Sequence, residues 1–192
     1  MILLLAAQVV LAEKPSADLT GPWHLFLDDH LIAWKTDVVR TYHPFEKYKG
    51  NPIIVSDQPW EGGMIRVNSV LPTEDGSGYR MWYSCWSPRN DPDHGHALYA
   101  LSKDGIHWDK PRMGLVPWKV NGSKDNNIIG GGGSVLYTPD DPDPARRYKS
   151  VGGSKGGYRF KASPDGIHWD RLSEKDIEEM PVLKDLRALK AG

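Results

Sequence analysis

The sequence has almost no cysteine and no excess of charge of either sign. Its one cysteine, Cys85, excludes an intramolecular disulfide and a zinc site built from several cysteines. The 24 basic and 25 acidic side chains nearly cancel, and the basic ones are scattered along the chain. Because a nucleic-acid-binding domain normally presents a basic face, the sequence predicts no nucleic-acid partner.

Long hydrophobic runs are also absent, except at the start of the chain, which reads MILLLAAQVVLA. This run is too short to cross a bilayer and has the length of the apolar part of a signal peptide. The alternative, a buried first strand, is interrupted at once by Glu13, Lys14 and Pro15. We therefore expect residues 1–17 to be a signal peptide or hydrophobic leader. The protein would be secreted or periplasmic, with no membrane contact after cleavage of the leader.

Glycine, proline and tryptophan are abundant instead. The 192 residues include 20 Gly, 15 Pro and 8 Trp. So many turn-forming residues disfavour a helical protein. The composition predicts a turn-rich β protein whose aromatic side chains fill a core or stack on a ligand.

One segment of the chain occurs twice. SKDGIHWD begins at Ser102 and SPDGIHWD begins at Ser163, about 60 residues later. Weaker matches precede each copy: SVL follows Asn68 and Gly133, and YRMW at Tyr79 parallels YKSV at Tyr148. The chain therefore contains two related structural units.

The two Asp-Gly pairs, at Asp104 and Asp165, each predict a tight turn. The Asp side chain accepts hydrogen bonds from backbone N–H groups two residues on, and the glycine adopts a positive φ. We expect Ile106 and Trp108 on one face of the strand that follows, with His107 on the other. Each unit then has four short strands, which is typical of a β-propeller blade.

The repeated Ser-x-Asp-Gly-x-x-Trp pattern resembles the Asp-box-type hairpin of propeller glycosidases and sialidases. Over about residues 20–172 the chain resembles the five-bladed β-propeller glycoside hydrolases, the invertase- and arabinanase-like superfamily, and most of all its exported family-32-like members. Besides the hairpins, the resemblance is carried by LFLDDHLI at Leu25–Ile32, Asn51-Pro52, Trp60-Glu61 and YRMWY at Tyr79–Tyr83. It implies a protein that hydrolyses or binds glycosidically linked sugars, here as an N-terminal fragment.

The candidate catalytic groups are acids that do not recur in both units, because a catalytic group is needed only once. Asp28 and Asp29 interrupt an apolar, strand-like run. The resemblance implies that one of them acts as nucleophile or base. The alternative is a bulge or strand-end turn that carries two solvated carboxylates. Glu61 is the reserve acid.

Two of the three carboxylates of the family have no counterpart in this chain. On an approximate alignment they fall near Asn68 and at Gly130–Gly133, where no side chain can ionise. Three readings therefore stay open: an O-glycosyl hydrolase, a non-catalytic glycan-binding or interaction module, and an inactive fragment of a longer propeller.

Side chains suited to sugars are the candidate binding residues. Tryptophan rings stack on sugar faces, whereas cationic and amide groups bond to hydroxyls. The set is Trp60, Arg66, Asn68, Trp23, Trp86, Arg40 and His43. A core position is the alternative for each tryptophan. No motif predicts a metal or a cofactor, and the expected partner is an oligo- or polysaccharide.

The expected fold is all-β, a partial β-propeller of two to three four-stranded antiparallel blades over residues 18–172. The blades would cover about residues 18–65, 66–120 and 121–172, the first incomplete and the other two forming full sheets. In the tail, residues 173–192, Ser173 and Asp176 predict a capping box that starts a short helix. A five-bladed ring needs about 300 residues, so exposed blade edges predict self-association.

Overall fold

A computed structural model describes residues 28–29, 32, 34–154 and 157–180. The chain divides into an N-terminal unit, Met1–Glu46, and a larger unit, Lys47–Gly192. The described residues of the N-terminal unit form bends and irregular segments without a strand, and those from 34 to 46 are exposed. The predicted leader, residues 1–17, lies outside the described residues.

The larger unit contains two four-stranded sheets with the same strand order. The first sheet is formed by β1 (Ile65–Pro72), β2 (Tyr79–Trp86), β3 (Gly95–Ser102) and β4 (Ile128–Ile129). The second is formed by β5 (Ser134–Tyr137), β6 (Tyr148–Ser154), β7 (Gly157–Ser163) and β8 (Asp170–Arg171). Every pair of neighbouring strands is antiparallel. The all-β class and the two four-stranded antiparallel sheets predicted from the sequence are confirmed.

The Asp-Gly turns form as the sequence predicts. In the first turn, Asp104 Oδ1 accepts hydrogen bonds from the backbone N–H groups of Ile106 and His107, both at 2.8 Å. In the second, Asp165 Oδ1 accepts the equivalent bonds at 2.8 and 2.9 Å. These repeated acids therefore act as scaffold.

The strand expected directly after each turn begins later than predicted. Ile106 lies in the bend itself and Trp108 directly after it, and pairing resumes only at Asp109, which forms an isolated bridge with Leu101. The reason is that Asp104 holds the N–H groups of residues 106 and 107, which are then unavailable to a strand ladder. The fourth strand of the first sheet is instead Ile128–Ile129, so this sheet extends beyond the expected boundary at residue 120.

The two sheets pack through Trp82, which projects from β2 of the first sheet and is fully buried. Its ring lies 5.7 Å from Tyr99 on its own sheet and 6.1 Å from Tyr148 on the second sheet, between ring centroids. The indole Nε1 donates to the carbonyl of Gly166 at 2.7 Å. At the edge of the contact, the N–H of Val135 donates to Ser69 Oγ at 2.8 Å, which joins β5 to β1.

A short helix, α1 (Glu174–Glu179), follows the second sheet. Ser173 Oγ accepts from the N–H of Asp176, and the Asp176 carboxylate accepts from the N–H of Ser173. This is the capping box that the sequence predicts, and it is confirmed. Ile177 and Met180 then pack against Phe160 of β7.

Replacement of Gly166 by alanine should destabilise the protein more than the same change at Gly105. Both glycines have a positive φ, +79° and +76°, so an added Cβ strains each backbone by about 1–2 kcal/mol. At Gly166 the Cβ would also lie 2.7 Å from the Trp82 ring, whereas at Gly105 its nearest neighbour is a Tyr79 carbon at 3.6 Å. We expect Gly166→Ala to lose about 1–3 kcal/mol more unfolding free energy than Gly105→Ala, measured by urea denaturation. Equal losses would contradict the contact between the second turn and Trp82.

Candidate functional site

A cavity of about 250 Å³ lies where β1 begins, β2 ends and β3 begins. Two of the predicted sugar-binding residues, Arg66 and Trp86, line it together. The remaining lining residues are Met64, Ser84, Cys85, His94 and Gly95. Both predicted residues are accessible, and Trp86 is 61% exposed.

Strand register explains why these side chains meet. Ser84 and Trp86 are two residues apart on β2 and therefore point to the same face of the sheet. Arg66 on β1 pairs directly with Ser84, which places its side chain on that face as well. A guanidinium group, a hydroxyl and an indole ring are thus grouped at one end of the hairpin.

The backbone around Trp86 is fixed from two sides. Its N–H donates to the carbonyl of Met64 at 3.1 Å, and Gly95 pairs with it across the sheet. Gly62 packs so closely that a Cβ there would lie 2.0 Å from the Trp86 carbonyl oxygen. Only glycine allows this approach, so Gly62 packs against the backbone of Trp86 and restricts where that residue can lie.

Asn68 sits at a β-bulge beside the cavity. The register between β1 and β2 shifts between Val67 and Ser69. The Asn68 Nδ2 donates to the carbonyl of Gly132 at 3.3 Å, and its Oδ1 accepts from Ser84 Oγ at 3.5 Å. This predicted binding residue therefore links the first sheet to the segment before β5 and orients Ser84, a cavity residue.

Glu61, the predicted reserve acid, lies in the interior. Its side chain has no exposed surface, and Lys110 Nζ donates to its Oε2 at 2.7 Å. The N–H groups of Asp57 and Gln58 also donate to Oε2, while the Tyr83 hydroxyl donates to Oε1 at 2.7 Å. Burial, reinforced by the hydrogen bond to Glu61, raises the pKa of Tyr83, which stays a neutral donor. The carboxylate is enclosed by four donors and has no contact with solvent.

Trp60 is a core residue, 5% exposed. Its Nε1 donates to Asn127 Oδ1 at 2.8 Å, and its ring meets Trp118 edge-on at 6.3 Å between centroids. The guanidinium of Arg112 covers the ring at 5.0 Å. Trp60 thus takes the core position that the sequence analysis gives as its alternative, because its one polar atom is bonded inside the protein. It also lines a cavity of about 260 Å³ beside Arg112 and Trp118, and its role in ligand binding stays a prediction.

The remaining predicted residues belong to the N-terminal unit. Asp28 and Asp29 are exposed and lie in a bend, and the Asp29 carboxylate accepts hydrogen bonds from Lys35 and Arg40. His43 is exposed. Trp23 lies outside the described residues.

Two buried groups, Asp91 and His96, and the half-buried Trp118 hold the loop between β2 and β3. Asp91 Oδ2 contacts His96 Nε2 and accepts from Trp118 Nε1, both at 2.6 Å. Burial raises the pKa of Asp91, but hydrogen bonds from the Asp93 N–H, His96 and Trp118 outweigh burial and lower it below the ordinary value. The carboxylate thus serves as an internal acceptor. Nothing in the local sequence signals it, because Trp118 comes from a distant loop.

Acidic and metal-ligating side chains are sparse around the cavity. Its lining contains no carboxylate. Over residues 34–154 and 157–180, with 28–29 and 32, no three His, Cys, Asp or Glu side chains are grouped as a metal site would require. The same residues include no helix long and apolar enough to cross a bilayer.

Two proteins of Mycobacterium tuberculosis are similar to part of the chain. "Uncharacterized protein Rv1502" is 28% identical over 136 residues, and "Uncharacterized protein MT1551", from another strain, is 33% identical over 139 residues. Each match covers 69% of this chain but 42% of the relative. The chain therefore spans about two fifths of the length of the curated relatives it matches. No model of a known protein family matches the chain.

Replacement of Glu61 by glutamine tests whether this acid is structural. Lys110 contacts both Glu61 and Asp57 at 2.7 Å, but the Glu61 side chain is fully buried whereas that of Asp57 is 53% exposed. Loss of the buried charge leaves Lys110, itself 8% exposed, without its enclosed counter-ion. We expect Glu61→Gln to lower the unfolding free energy by about 3 kcal/mol or more. Asp57→Asn, the matched control, should lower it by less than about 1 kcal/mol. Equal effects of the two changes in urea denaturation would refute the structural role.

Proposed function

We propose that the two sheets are neighbouring blades of a β-propeller that acts on or binds carbohydrate. Three observations support the propeller arrangement. Both sheets are four-stranded antiparallel meanders with strands in chain order. Their first strands, β1 and β5, are joined by the hydrogen bonds between Ser69 and Val135. Each sheet also carries the same Asp-Gly turn after its third strand.

The cavity beside Trp86 is the proposed sugar-binding surface. The single observation that carries this proposal is the grouping of an exposed indole with Arg66, Ser84 and His94 at one end of the hairpin. An indole face stacks on the C–H face of a pyranose or furanose ring, while the guanidinium and hydroxyl groups bond to ring hydroxyls. Arg66 further favours a sugar that carries an acidic substituent.

Binding is the function that this cavity supports better than hydrolysis. Hydrolysis of a glycosidic bond needs two carboxyl groups flanking the bond. The cavity lining contains none, and the nearby Glu61 is enclosed by its four donors. A non-catalytic glycan-binding role therefore fits the described part of the larger unit.

We also propose that the protein is exported. The leader-like residues 1–17 would direct the protein to the secretory route, where polymeric glycans are encountered. The proposed activity requires no cofactor, since sugar stacking and hydrogen bonding use side chains alone.

Replacement of Trp86 by alanine should weaken sugar binding about five- to twelvefold. The expected loss corresponds to a stacking contribution of about 1–1.5 kcal/mol. The measurement is isothermal titration calorimetry with the best binder from a panel of arabinan, fructan, galactan and sulfated-glycan oligosaccharides. Arg66→Ala should have its largest effect on sulfated oligosaccharides.

The matched control is Tyr158→Ala, which removes another exposed aromatic ring, one that lies on β7 of the second sheet. Its affinity should equal that of the unchanged protein. Unaltered binding after both Trp86→Ala and Arg66→Ala would rule out the cavity as the binding surface.

Hydrolysis is the second candidate, and one observation in the N-terminal unit favours it. The Asp29 side chain is 58% exposed while Lys35 and Arg40 orient its carboxylate. An accessible, oriented carboxylate is what a nucleophile or a base for water requires. Asp28, also exposed, stands next to it.

Replacement of Asp29 by asparagine should reduce turnover about 100-fold if this carboxylate is the nucleophile or base. The measurement is release of reducing sugar from the same oligosaccharide panel, with Asp28→Asn tested in parallel. Asp37→Asn, an exposed acid of the same unit, is the control and should leave turnover unchanged. Wild-type turnover in both the Asp28 and the Asp29 variants would remove these residues from the mechanism.

A further inference from the structure

Three basic side chains lie on one face of the second sheet. Arg159 and Lys161 are two residues apart on β7 and therefore point to the same side. Arg171 of β8 pairs directly with Lys161, which places its side chain on that side as well. Arg159 and Arg171 are exposed, and Lys161 is half-buried. We call these three residues the cationic triad.

Within the part of the chain that the structure describes, no carboxylate forms an ion pair with the cationic triad. Lys161 Nζ donates to the carbonyl of Gly130, which is a neutral acceptor. Burial lowers the pKa of Lys161, and the positive charges of Arg159 and Arg171 lower it further. The three cations therefore repel one another, and the described residues do not offset that repulsion.

The repeat shows that the cationic triad is not part of the shared scaffold. In the first unit, Leu98 and Ala100 occupy the positions of Arg159 and Lys161, and both are fully buried. Like charges directly opposite each other on neighbouring strands destabilise a sheet. Sequences break such local rules mainly at functional sites. The second unit thus carries an unfavourable grouping of charge that its fold does not require.

A glycine-rich segment lies between the cationic triad and the proposed sugar-binding cavity. Its Gly130 carbonyl accepts from Lys161, and its Gly132 carbonyl accepts from Asn68. Asn68 Oδ1 in turn accepts from the hydroxyl of Ser84, which lines the cavity. An extended ligand that leaves the cavity across this segment would therefore meet the triad.

An anionic group on that ligand would relieve the repulsion within the cationic triad. Guanidinium groups bind sulfate and carboxylate through paired hydrogen bonds, and a lysine adds a point charge. We propose that the triad binds the sulfate or carboxylate groups of an acidic glycan whose neighbouring sugar lies in the cavity. This inference rests on the proposed sugar-binding function and narrows its ligand class to acidic polysaccharides. The balance of 24 basic and 25 acidic side chains favours such a glycan over a nucleic acid, which requires a broader basic face.

The test is titration calorimetry at low ionic strength with a sulfated galactan, a galacturonan and a neutral galactan oligosaccharide. We expect Arg159→Gln and Arg171→Gln each to weaken binding of an acidic oligosaccharide about two- to fivefold. The double variant should lose about tenfold or more, since both arginines contact the same ligand. Affinity for the neutral oligosaccharide should not change in any of these variants.

The matched control is Arg147→Gln. Arg147 is an exposed arginine that precedes β6, at the end of the second sheet opposite to Arg159, which pairs with Gly152. This change should leave all three affinities unaltered. Urea denaturation of the Arg159 and Arg171 variants should show no loss of unfolding free energy, because each change removes a repulsive charge. A loss of stability in both would indicate a structural role and overturn the proposal.

The Trp86→Ala variant separates this inference from the proposed function. If it weakens binding of all three oligosaccharides while the Arg159 and Arg171 variants bind normally, the cavity stands and the cationic triad is overturned as a site. If only the arginine variants lose affinity, the triad is supported and the cavity is overturned. Absence of binding to both acidic oligosaccharides would overturn the triad. So would a single-stranded oligonucleotide that binds as tightly and loses as much affinity in the same variants, because the triad would then be a general polyanion surface.

Discussion

The arrangement of the two sheets depends on the burial of Trp82. Its indole is large, has no exposed surface and carries one N–H that must find an acceptor inside the protein. The carbonyl of Gly166 provides that acceptor at 2.7 Å. Because a buried N–H without a partner costs about 1–3 kcal/mol, this bond fixes the orientation of the Trp82 indole between the two sheets. A second link between the sheets lies nearby, where Asn68 Nδ2 donates to the carbonyl of Gly132 in the segment before β5.

The parts of the fold that sequence reasoning predicted are those encoded locally. Asp104 and Asp165 bond to N–H groups two and three residues further along, so eight residues contain all the information for each turn. The capping box between Ser173 and Asp176 is local in the same way. The strand Ile128–Ile129 could not be predicted, because it is two residues long and is defined by pairing with Ala97 and Leu98 on β3. No periodicity can appear in so short a segment.

The residues of the candidate site show the same distinction between local and long-range determinants. In the sequence, Trp60 and Glu61 resemble site residues, because an aromatic side chain stands next to an acid and two glycines follow. Their partners Tyr83, Lys110 and Asn127 come from three distant segments, and only the folded chain shows that these donors and acceptors converge. Arg66 and Trp86 are a different case. Once the β1–β2 register is known, strand alternation alone places them on one face with Ser84, so their grouping could be inferred from a correctly paired hairpin.

The hydrogen bonds at the two turns show what stabilises the contact between the sheets. At the first turn Trp108 Nε1 donates to the Gly105 carbonyl. At the second turn the corresponding Trp169 Nε1 is buried without a partner, and Trp82 Nε1 is the donor to the Gly166 carbonyl. Docking of the sheets therefore exchanges one indole hydrogen bond for another and gains none at this position. The stabilisation must come from apolar burial, which for a tryptophan of 150–250 Å² amounts to about 4–6 kcal/mol as an upper bound. The repeated sequence thus determines the conformation of the turn. The side chain that the neighbouring sheet packs against the turn determines how much apolar burial stabilises it.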